Sequence, residues 1–193
     1  MNGYEKRTQM KKELILQATE ELIFSKGITN TSVEEIANLA GVSKVTLFKY
    51  FGSKDALVRL VFERYMDRKL SEVDKMLQSD LPFQEKIEVF FSMEQITQDS
   101  IDDRFLQSVP WEDPAIQCLY DEIANTKAVP MLLELFKQGK DAGVIDQDIS
   151  IEAFMAYLGA FTGIMKDPNF LKTSEEFKNS ISKLFYFGLF GKK

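Results

Sequence analysis

The segment from Thr31 to Asp55, TSVEEIANLAGVSKVTLFKYFGSKD, constrains the fold more than any other part of this 193-residue chain. Ser32 and, three residues later, Glu35 form a capping box, in which each side chain satisfies the backbone amide of the other residue. Such a pair marks the first turn of a helix. The pattern therefore predicts a helix that begins at Val33.

A second short helix follows almost at once. Gly41 permits a tight turn after the first helix, and Ser43 is the next N-cap. The second helix can then cover only Lys44 to about Phe51. Two short capped helices separated by such a turn predict a helix-turn-helix.

The second helix has an unusual outer face. At 100° per residue, Leu47 and Phe51 share the inner face. The residues that point away from it are Val45, Thr46, Phe48 and Lys49. A helix in the major groove needs cations and hydroxyls for phosphates and base edges, and apolar groups for the thymine methyl. The pattern favours DNA binding, although capped helix pairs also occur in helical proteins that bind no DNA.

The expected DNA contacts cluster in this segment. Lys54 is included because a cation in the first turn of a third helix, after the N-cap Ser53, is disfavoured by the helix dipole unless a phosphate lies nearby. The predicted DNA-binding residues are Thr31, Ser32, Ser43, Lys44, Val45, Thr46, Phe48, Lys49, Tyr50 and Lys54.

The stretch SVEEIANLAGVSKVTLFKYFGSKDAL resembles the N-terminal signature of the tetracycline-repressor (TetR) family of bacterial regulators, and the similarity extends from about Lys11 to Leu60. The resemblance implies an all-α protein that acts as a transcriptional regulator, most often a repressor. It implies a three-helix DNA-binding head in residues 1–52, and a helical ligand-binding and dimerisation body in residues 53–193. The expected partners are a palindromic double-stranded DNA operator, a small apolar or aromatic effector and a second copy of the chain.

Three positions depart from the commonest family pattern. Val45 stands where Gly or Pro is usual, Phe48 where Tyr is usual, and Gly52 where a longer residue is usual. Phe48 lacks the hydroxyl that would reach a phosphate. Apolar contact with DNA remains open to it.

The charge is divided along the chain in a way that suits a DNA-binding head. Residues 1–54 carry eight Lys or Arg and six Asp or Glu, a balance of +2, whereas residues 55–193 carry sixteen and twenty-four, a balance of −8. Lys6, Arg7, Lys11 and Lys12 concentrate positive charge near the N-terminus, where phosphate contacts would raise affinity without reading sequence. A solvated tail is the alternative for Lys6 and Arg7.

Composition excludes several classes of function. The chain has one Cys and no His, which excludes an internal disulfide and the usual zinc sites, and it shows no Gly-rich phosphate loop. We expect no cofactor, no metal and no catalytic residue. Without an apolar run of about 18 residues or a signal peptide, we expect a cytoplasmic protein that does not enter a membrane.

Helical periodicity and caps predict the remaining elements. The first helix is expected from about Thr8 to Lys26, with a Schellman stop at Gly27. A long helix is expected from Ser53 to about Leu77, and another from Phe83 to about Ser100. Further helices are expected after Asp113, interrupted at Pro130, after Ser150, and from Ser174 to about Phe187.

Large, soft apolar residues in the middle of the chain suggest a ligand cavity, since the resemblance places one there. The alternative is a filled core, the commoner role of Met and aromatic residues at helical spacing. The predicted ligand-binding residues are Phe90, Phe91, Met93, Phe105, Trp111, Tyr120, Met131, Met155, Phe161 and Met165.

The last two helices carry a small-residue face and an apolar stripe, where the resemblance places a four-helix dimer interface. The alternative is burial of the stripe within one subunit. The predicted dimer residues are Ala156, Gly159, Ala160, Gly163, Phe177, Ile181, Leu184 and Phe185.

A second hypothesis, from another class, is a helical small-molecule carrier or enzyme that binds no DNA. Cys118 has no evident activator, and no nucleophile with an adjacent base is found in the sequence. Salt-dependent DNA binding would separate the two hypotheses.

Overall fold

The computed structural model describes residues 2–94, 105–106, 108–165, 167 and 169–190. Every regular secondary-structure element in those ranges is an α-, π- or 3₁₀-helix, which confirms the predicted all-α class. The α-helices, in chain order, are α1 (Gly3–Lys26), α2 (Val33–Leu39), α3 (Lys44–Phe51), α4 (Lys54–Leu77), α5 (Phe83–Glu94), α6 (Pro114–Ile123), α7 (Val129–Asp141), α8 (Ile151–Met165) and α9 (Glu175–Phe190).

The chain divides into two compact units. Unit 1 comprises Met1–Asp67 and Asp99–Pro110, and unit 2 comprises Arg68–Gln98 and Trp111–Lys193. Unit 1 therefore contains α1, α2, α3 and the first part of α4. The remaining α-helices and the second part of α4 belong to unit 2.

Helix α1 begins earlier than the sequence analysis placed it. It starts at Gly3 because Asn2 and Glu5 form a capping box: the Asn2 side chain accepts the Glu5 amide at 2.9 Å, and Glu5 Oε2 accepts the Asn2 amide at 2.8 Å. The helix ends at Lys26 as expected, but without a Schellman motif. Gly27 instead adopts φ 83° and ψ 164°, a region that is essentially restricted to glycine.

The predicted helix-turn-helix is confirmed residue for residue. Gly41 has φ 65° and lies in a Schellman motif, since the Val42 amide donates to the Ala37 carbonyl at 3.0 Å and the Gly41 amide donates to that of Asn38 at 3.2 Å. This motif ends α2 and directs the chain into α3. Ser43 caps α3, as its position in the sequence predicted.

Unit 1 has a continuous apolar core beneath the helix-turn-helix. Its buried members come from α1, α2, α3, α4 and the turn: Ile15, Ala18, Ile36, Ala37, Ala40, Leu47 and Leu57. Arg64 and Glu13 add a two-point ion pair between α4 and α1, with nitrogen-to-oxygen distances of 2.6 and 3.3 Å. The helix-turn-helix therefore packs on an apolar core, and an ion pair joins the two longer helices that contribute to it.

Unit 2 contains the predicted interruption at Pro130. A π-helical segment, Ala124–Ala128, joins α6 to α7, and the Val129 amide donates to the Ala124 carbonyl. Because proline lacks an N–H and its ring crowds the preceding turn, the wider π turn accommodates it at the start of α7.

The core of unit 2 is dominated by large apolar side chains. Its buried residues are Met76, Leu77, Phe83, Ile87, Leu135, Phe136, Ile145, Phe154, Leu158 and Phe185. Gly139 is required by this packing, because a Cβ there would lie 2.6 Å from Ile145 Cδ1 and 2.7 Å from Phe83 Cζ. The buried Lys86 ammonium donates to the Leu77 carbonyl at 2.7 Å and so caps the C-terminal end of α4.

Among the described helices, none combines the length and the apolar character that crossing a bilayer requires.

Candidate nucleic-acid interface

Helix α3 presents an apolar outer face. Val45 is 78% exposed and Phe48 is 45% exposed, whereas Leu47 is fully buried in the core of unit 1. The division between inner and outer faces follows the 100° periodicity that the sequence predicted. Two large apolar groups thus stand in solvent beside the exposed Lys49.

Polar side chains fix the two N-termini of the helix-turn-helix. The Ser43 hydroxyl accepts the Thr46 amide at 3.1 Å and lies 2.9 Å from the Thr46 hydroxyl. The Ser32 hydroxyl accepts the Glu35 amide at 3.2 Å and donates to Glu35 Oε2 at 2.8 Å. The Ser32 and Ser43 side chains therefore hold the local backbone, whatever contacts they make with DNA.

Two further side chains on α3 have intramolecular partners that the sequence analysis did not identify. The Lys44 ammonium forms an ion pair with Glu34 of α2. The Lys12 ammonium of α1 lies 5.8 Å from the centre of the Tyr50 ring. Residues ten and thirty-eight positions apart obey no helical spacing rule, so only the tertiary structure reveals these pairs.

Thr31 and Lys54 were predicted to contact DNA, but their polar groups bind backbone carbonyls within the protein. Thr31 is buried, and its hydroxyl donates to the Gly27 carbonyl at 2.8 Å. The half-buried Lys54 ammonium donates to the Ile28 carbonyl at 2.7 Å. Both side chains stabilise the loop between α1 and α2, because they satisfy carbonyls that follow the end of α1.

Glu35 has a strongly perturbed carboxyl group. The Lys26 ammonium donates to Oε1 at 2.5 Å, and the Ser32 amide and hydroxyl donate to Oε2 at 2.9 and 2.8 Å. These bonds, that from Lys26 first, lower the pKa of Glu35 from an ordinary 4.5 to about 2. They stabilise the ionised form and hence the start of α2.

The pH dependence of stability follows from this shift. Because the folded-state pKa is depressed, the stabilisation from Glu35 is fully present above about pH 4.5 and disappears as the pH falls towards 2. Glu35→Gln should lower the unfolding temperature at pH 7 and should reduce the loss of stability between those two pH values. Thermal unfolding at a series of pH values measures both effects. Glu21→Gln, an exposed charge-matched control on α1, should leave the acid dependence as in the original chain.

The residues predicted to line a ligand cavity contribute mainly to the core of unit 2. Phe90, Met131, Met155 and Phe161 are half-buried and pack against that core. A cavity there, lined only by apolar side chains, encloses about 20 Å³, far less than the several hundred Å³ of a ligand pocket. Its lining residues are Ile87, Phe90, Leu132, Leu135, Phe136, Ile145, Phe154 and Phe185.

Phe105 lies elsewhere than predicted. It is fully buried in unit 1, where its ring centre is 4.6 Å from that of Phe24 and 5.0 Å from that of Tyr65. Aromatic packing with these residues, distant in sequence, determines its position, and we exclude it from the ligand-binding set. Trp111 and Tyr120 form an edge-to-face pair in unit 2 with ring centres 5.9 Å apart. The side chains of Phe91, Met93 and Met165 lie outside the described part of the structure.

Most of the predicted dimer residues form an exposed surface on unit 2. Ala156, Gly159, Ala160 and Gly163 of α8 are all exposed. On α9, Phe177 is 47% and Leu184 is 67% exposed, and Ile181 is half-buried.

Phe185 differs from the other predicted dimer residues because it is buried. Its ring lies 5.3 Å from that of Tyr157 and 4.1 Å from that of Phe161, measured between centres. Phe185 therefore belongs to the packing between α8 and α9 within one subunit, and we exclude it from the exposed surface.

The carboxylates and the single thiol provide no metal site in the described residues: no group of three or more potential ligands is found among them. Cys118 is free and exposed.

Two capped helices joined by a Schellman turn, with an exposed apolar and cationic face on the second, define a helix-turn-helix protein. Residues 15–61 match the family model described as bacterial regulatory proteins, tetR family. The uncharacterized HTH-type transcriptional regulator YvdT of Bacillus subtilis strain 168 is 30% identical over 113 residues, which are 58% of this chain and 53% of that protein. The chain thus spans about half the length of this curated relative. Residues 15–61 thus carry the TetR-family helix-turn-helix segment that the sequence predicted.

Solved structures show the same fold across nearly the whole chain. The fatty acid degradation regulator FadR from Bacillus halodurans aligns with a TM-score of 0.66 at 20% identity, over 92% of this chain and 99% of that one. The transcriptional regulator FadR from Bacillus subtilis, in complex with stearoyl-CoA, aligns with a TM-score of 0.62 at 19% identity, over 94% and 100%. These similarities support the all-α architecture.

Proposed function

We propose that this chain is a sequence-specific DNA-binding transcriptional regulator, acting as a repressor that a small effector releases from its operator. The observation that carries the proposal is helix α3, which extends exposed Val45, Phe48 and Lys49 from a packed support within the family-matched residues 15–61. Residues 1–52 form the DNA-binding domain in this proposal. Residues 53–193 provide effector binding and dimerisation, and no catalytic role is assigned to any residue.

Salt dependence is the test that separates this proposal from a carrier or an enzyme. A protein that neutralises several phosphates loses affinity steeply as salt rises, because DNA releases condensed counterions on binding. Fluorescence anisotropy of a labelled duplex, measured between about 50 and 200 mM salt, should show a log–log slope of several units. A carrier or enzyme without a DNA-binding role should show no saturable binding in this range.

The pair between Lys44 and Glu34 leads to a quantitative prediction about that slope. For Lys44 to contact a phosphate, its ammonium must leave Glu34, and the exposed carboxylate then attracts a cation from solution. This uptake offsets the release of one counterion from the DNA. Glu34→Gln should therefore steepen the log–log salt slope by at most roughly 0.9, the release for one phosphate, and tighten binding to random DNA at low salt.

A charge-matched variant distinguishes this local effect from net charge alone. Glu21→Gln removes one exposed carboxylate from α1, away from α3. It should leave the salt slope close to that of the original chain. An equal change of slope in both variants would show that Lys44 gains nothing from the loss of Glu34.

Effector binding in this proposal uses the apolar core of unit 2. The structurally similar FadR from Bacillus subtilis was solved in complex with stearoyl-CoA. In the present chain, the cavity in the core of unit 2 is lined by Phe90, Phe136 and other apolar side chains. A cavity of about 20 Å³ must open to admit an apolar chain, so the cost of opening reduces the apparent affinity. Fluorescence of Trp111, the single tryptophan, during titration with acyl-CoA thioesters of increasing chain length tests this step.

Dimerisation in this proposal uses the exposed faces of α8 and α9. Small residues such as Gly159 and Ala160 let two helices approach closely, and exposed Phe177 and Leu184 supply apolar area. A two-fold dimer matches a palindromic operator, with half-sites separated by roughly 34 to 36 Å or a longer spacing.

A further inference from the structure

The outward side chains of α3 fall into two groups. Those with a polar group are mostly engaged within the protein: Lys44 pairs with Glu34, the Thr46 hydroxyl contacts Ser43, and the Tyr50 ring lies beneath Lys12. Lys44 and Thr46 would have to give up these partners in order to bind a base edge, whereas the contact with Lys12 involves the Tyr50 ring and not its hydroxyl. Lys44 and Thr46 are thus poorly placed to distinguish one base from another.

The second group consists of Val45 and Phe48, with Lys49 beside them. Val45 is 78% exposed and Phe48 is 45% exposed, and residues three apart share one face of a helix. Helix α3, KVTLFKYF, contains no Arg, Asn or Gln, so Lys44 and Lys49 are its side chains of the kinds that pair with guanine or adenine. Val45 and Phe48 therefore give the exposed face of α3 a large apolar area beside Lys49.

Only one base offers an apolar group in the major groove. Thymine carries a C5-methyl there, while adenine, guanine and cytosine offer hydrogen-bonding atoms. We infer that Val45 and Phe48 recognise thymine through this methyl group, so that the preferred DNA has thymine at the positions facing α3 in each half-site. The inference rests on the DNA-binding function proposed above and specifies which bases that function reads.

Replacement of thymine by uracil isolates the contact. Deoxyuridine keeps the base pair, the O4 acceptor and the phosphate charge, and it lacks only the methyl group. Removing one methyl from an apolar contact should weaken binding about four-fold. A loss of this size at a thymine position identifies a methyl contact without altering any hydrogen bond.

The experiment begins with a duplex selected by the full-length protein from a randomised library. Affinity is then measured for this duplex with each thymine replaced by deoxyuridine, one position at a time, at fixed salt. At least one position in each half-site should show the expected loss. Placing 5-methylcytosine at neighbouring cytosines should show no comparable loss, because this control adds a methyl and removes none.

Protein variants assign the contact to its side chain. Val45→Ala and Phe48→Ala should each weaken binding to the thymine duplex. At the position each residue reads, they should bring the thymine-to-uracil affinity ratio close to one. Leu39→Ala, which truncates a 49% exposed side chain on α2, is the matched control and should keep the ratio of the original chain.

Each outcome decides between distinct claims. If every deoxyuridine duplex binds as tightly as the thymine duplex, recognition of thymine methyls is wrong, while DNA binding itself stands. If the ratios fall equally in the Leu39→Ala control, Val45 and Phe48 act through general stability and the inference is also wrong. If the library yields no enriched sequence and no salt-dependent binding, the proposed function fails and the inference fails with it.

Discussion

Replacing Leu47 by Ala should destabilise unit 1 by about 2 to 5 kcal/mol. Leu47 is fully buried where α3 meets Ile15, Ile36 and Leu57 in the core of unit 1. Truncation removes apolar contacts and leaves a cavity, because close-packed neighbours relax only in part. Since whole domains are stable by only about 5 to 15 kcal/mol, a large share of the stability would be lost.

Val45→Ala is the matched control, two residues away on the same helix. Val45 is 78% exposed, so its truncation should change stability by less than about 0.5 kcal/mol. Urea unfolding followed by circular dichroism measures both variants. A Leu47→Ala protein as stable as the original chain would contradict the placement of α3 on the core of unit 1.

Replacing Leu184 by Glu should convert the proposed dimer into monomers. Leu184 is 67% exposed in the single chain, so a glutamate there costs little in an isolated subunit. Between two apolar helices the same carboxylate would lose water without gaining a partner, at a cost of several kcal/mol. Sedimentation equilibrium should therefore give the mass of one chain. Operator affinity should fall, because the two DNA-binding domains are no longer joined and each must bind its half-site separately.

Asn179→Glu provides the control for the dimer prediction. Asn179 is also exposed on α9, but five residues from Leu184 it faces another direction. This variant adds one negative charge to the same helix and should remain dimeric. Two results would contradict the proposed interface: a Leu184→Glu protein that stays dimeric, or one that unfolds as a monomer.

Local rules explain why the head was predictable from sequence. The capping box of Ser32 and Glu35, the turn at Gly41 and the cap at Ser43 act over three or four residues, and the observed bounds of α2 and α3 agree with them. The same rule applied to Asn2 and Glu5 would have found the start of α1 at Gly3. Helical periodicity alone placed that start near Thr8.

Tertiary contacts explain what the sequence did not predict. Lys54 is held by the carbonyl of Ile28, twenty-six residues away, and its position in the first turn of α4 gave no sign of this bond. Phe105 lies in the core of unit 1 because three aromatic side chains from α1 and α4 surround it. Helical periodicity identifies an apolar side chain but does not specify which neighbours bury it.

Phe185 shows the same limit of periodicity on α9. It belongs to the apolar stripe with Ile181 and Leu184, yet the structure buries it and leaves Leu184 exposed. One edge of a broad apolar stripe can pack inside the subunit while its other edge remains on the outer surface. The sequence therefore predicted the stripe correctly but not its division.

The most direct test of the account compares the affinity of the full-length protein for its selected duplex with that for a random duplex of equal length, at the same salt. If α3 reads bases, the selected duplex should bind at least about 10³ times more tightly. Combined truncation of Val45 and Phe48 to Ala should remove most of this ratio while the protein stays folded. Equal affinity of the original chain for both duplexes would contradict the central claim that α3 is a sequence-reading helix.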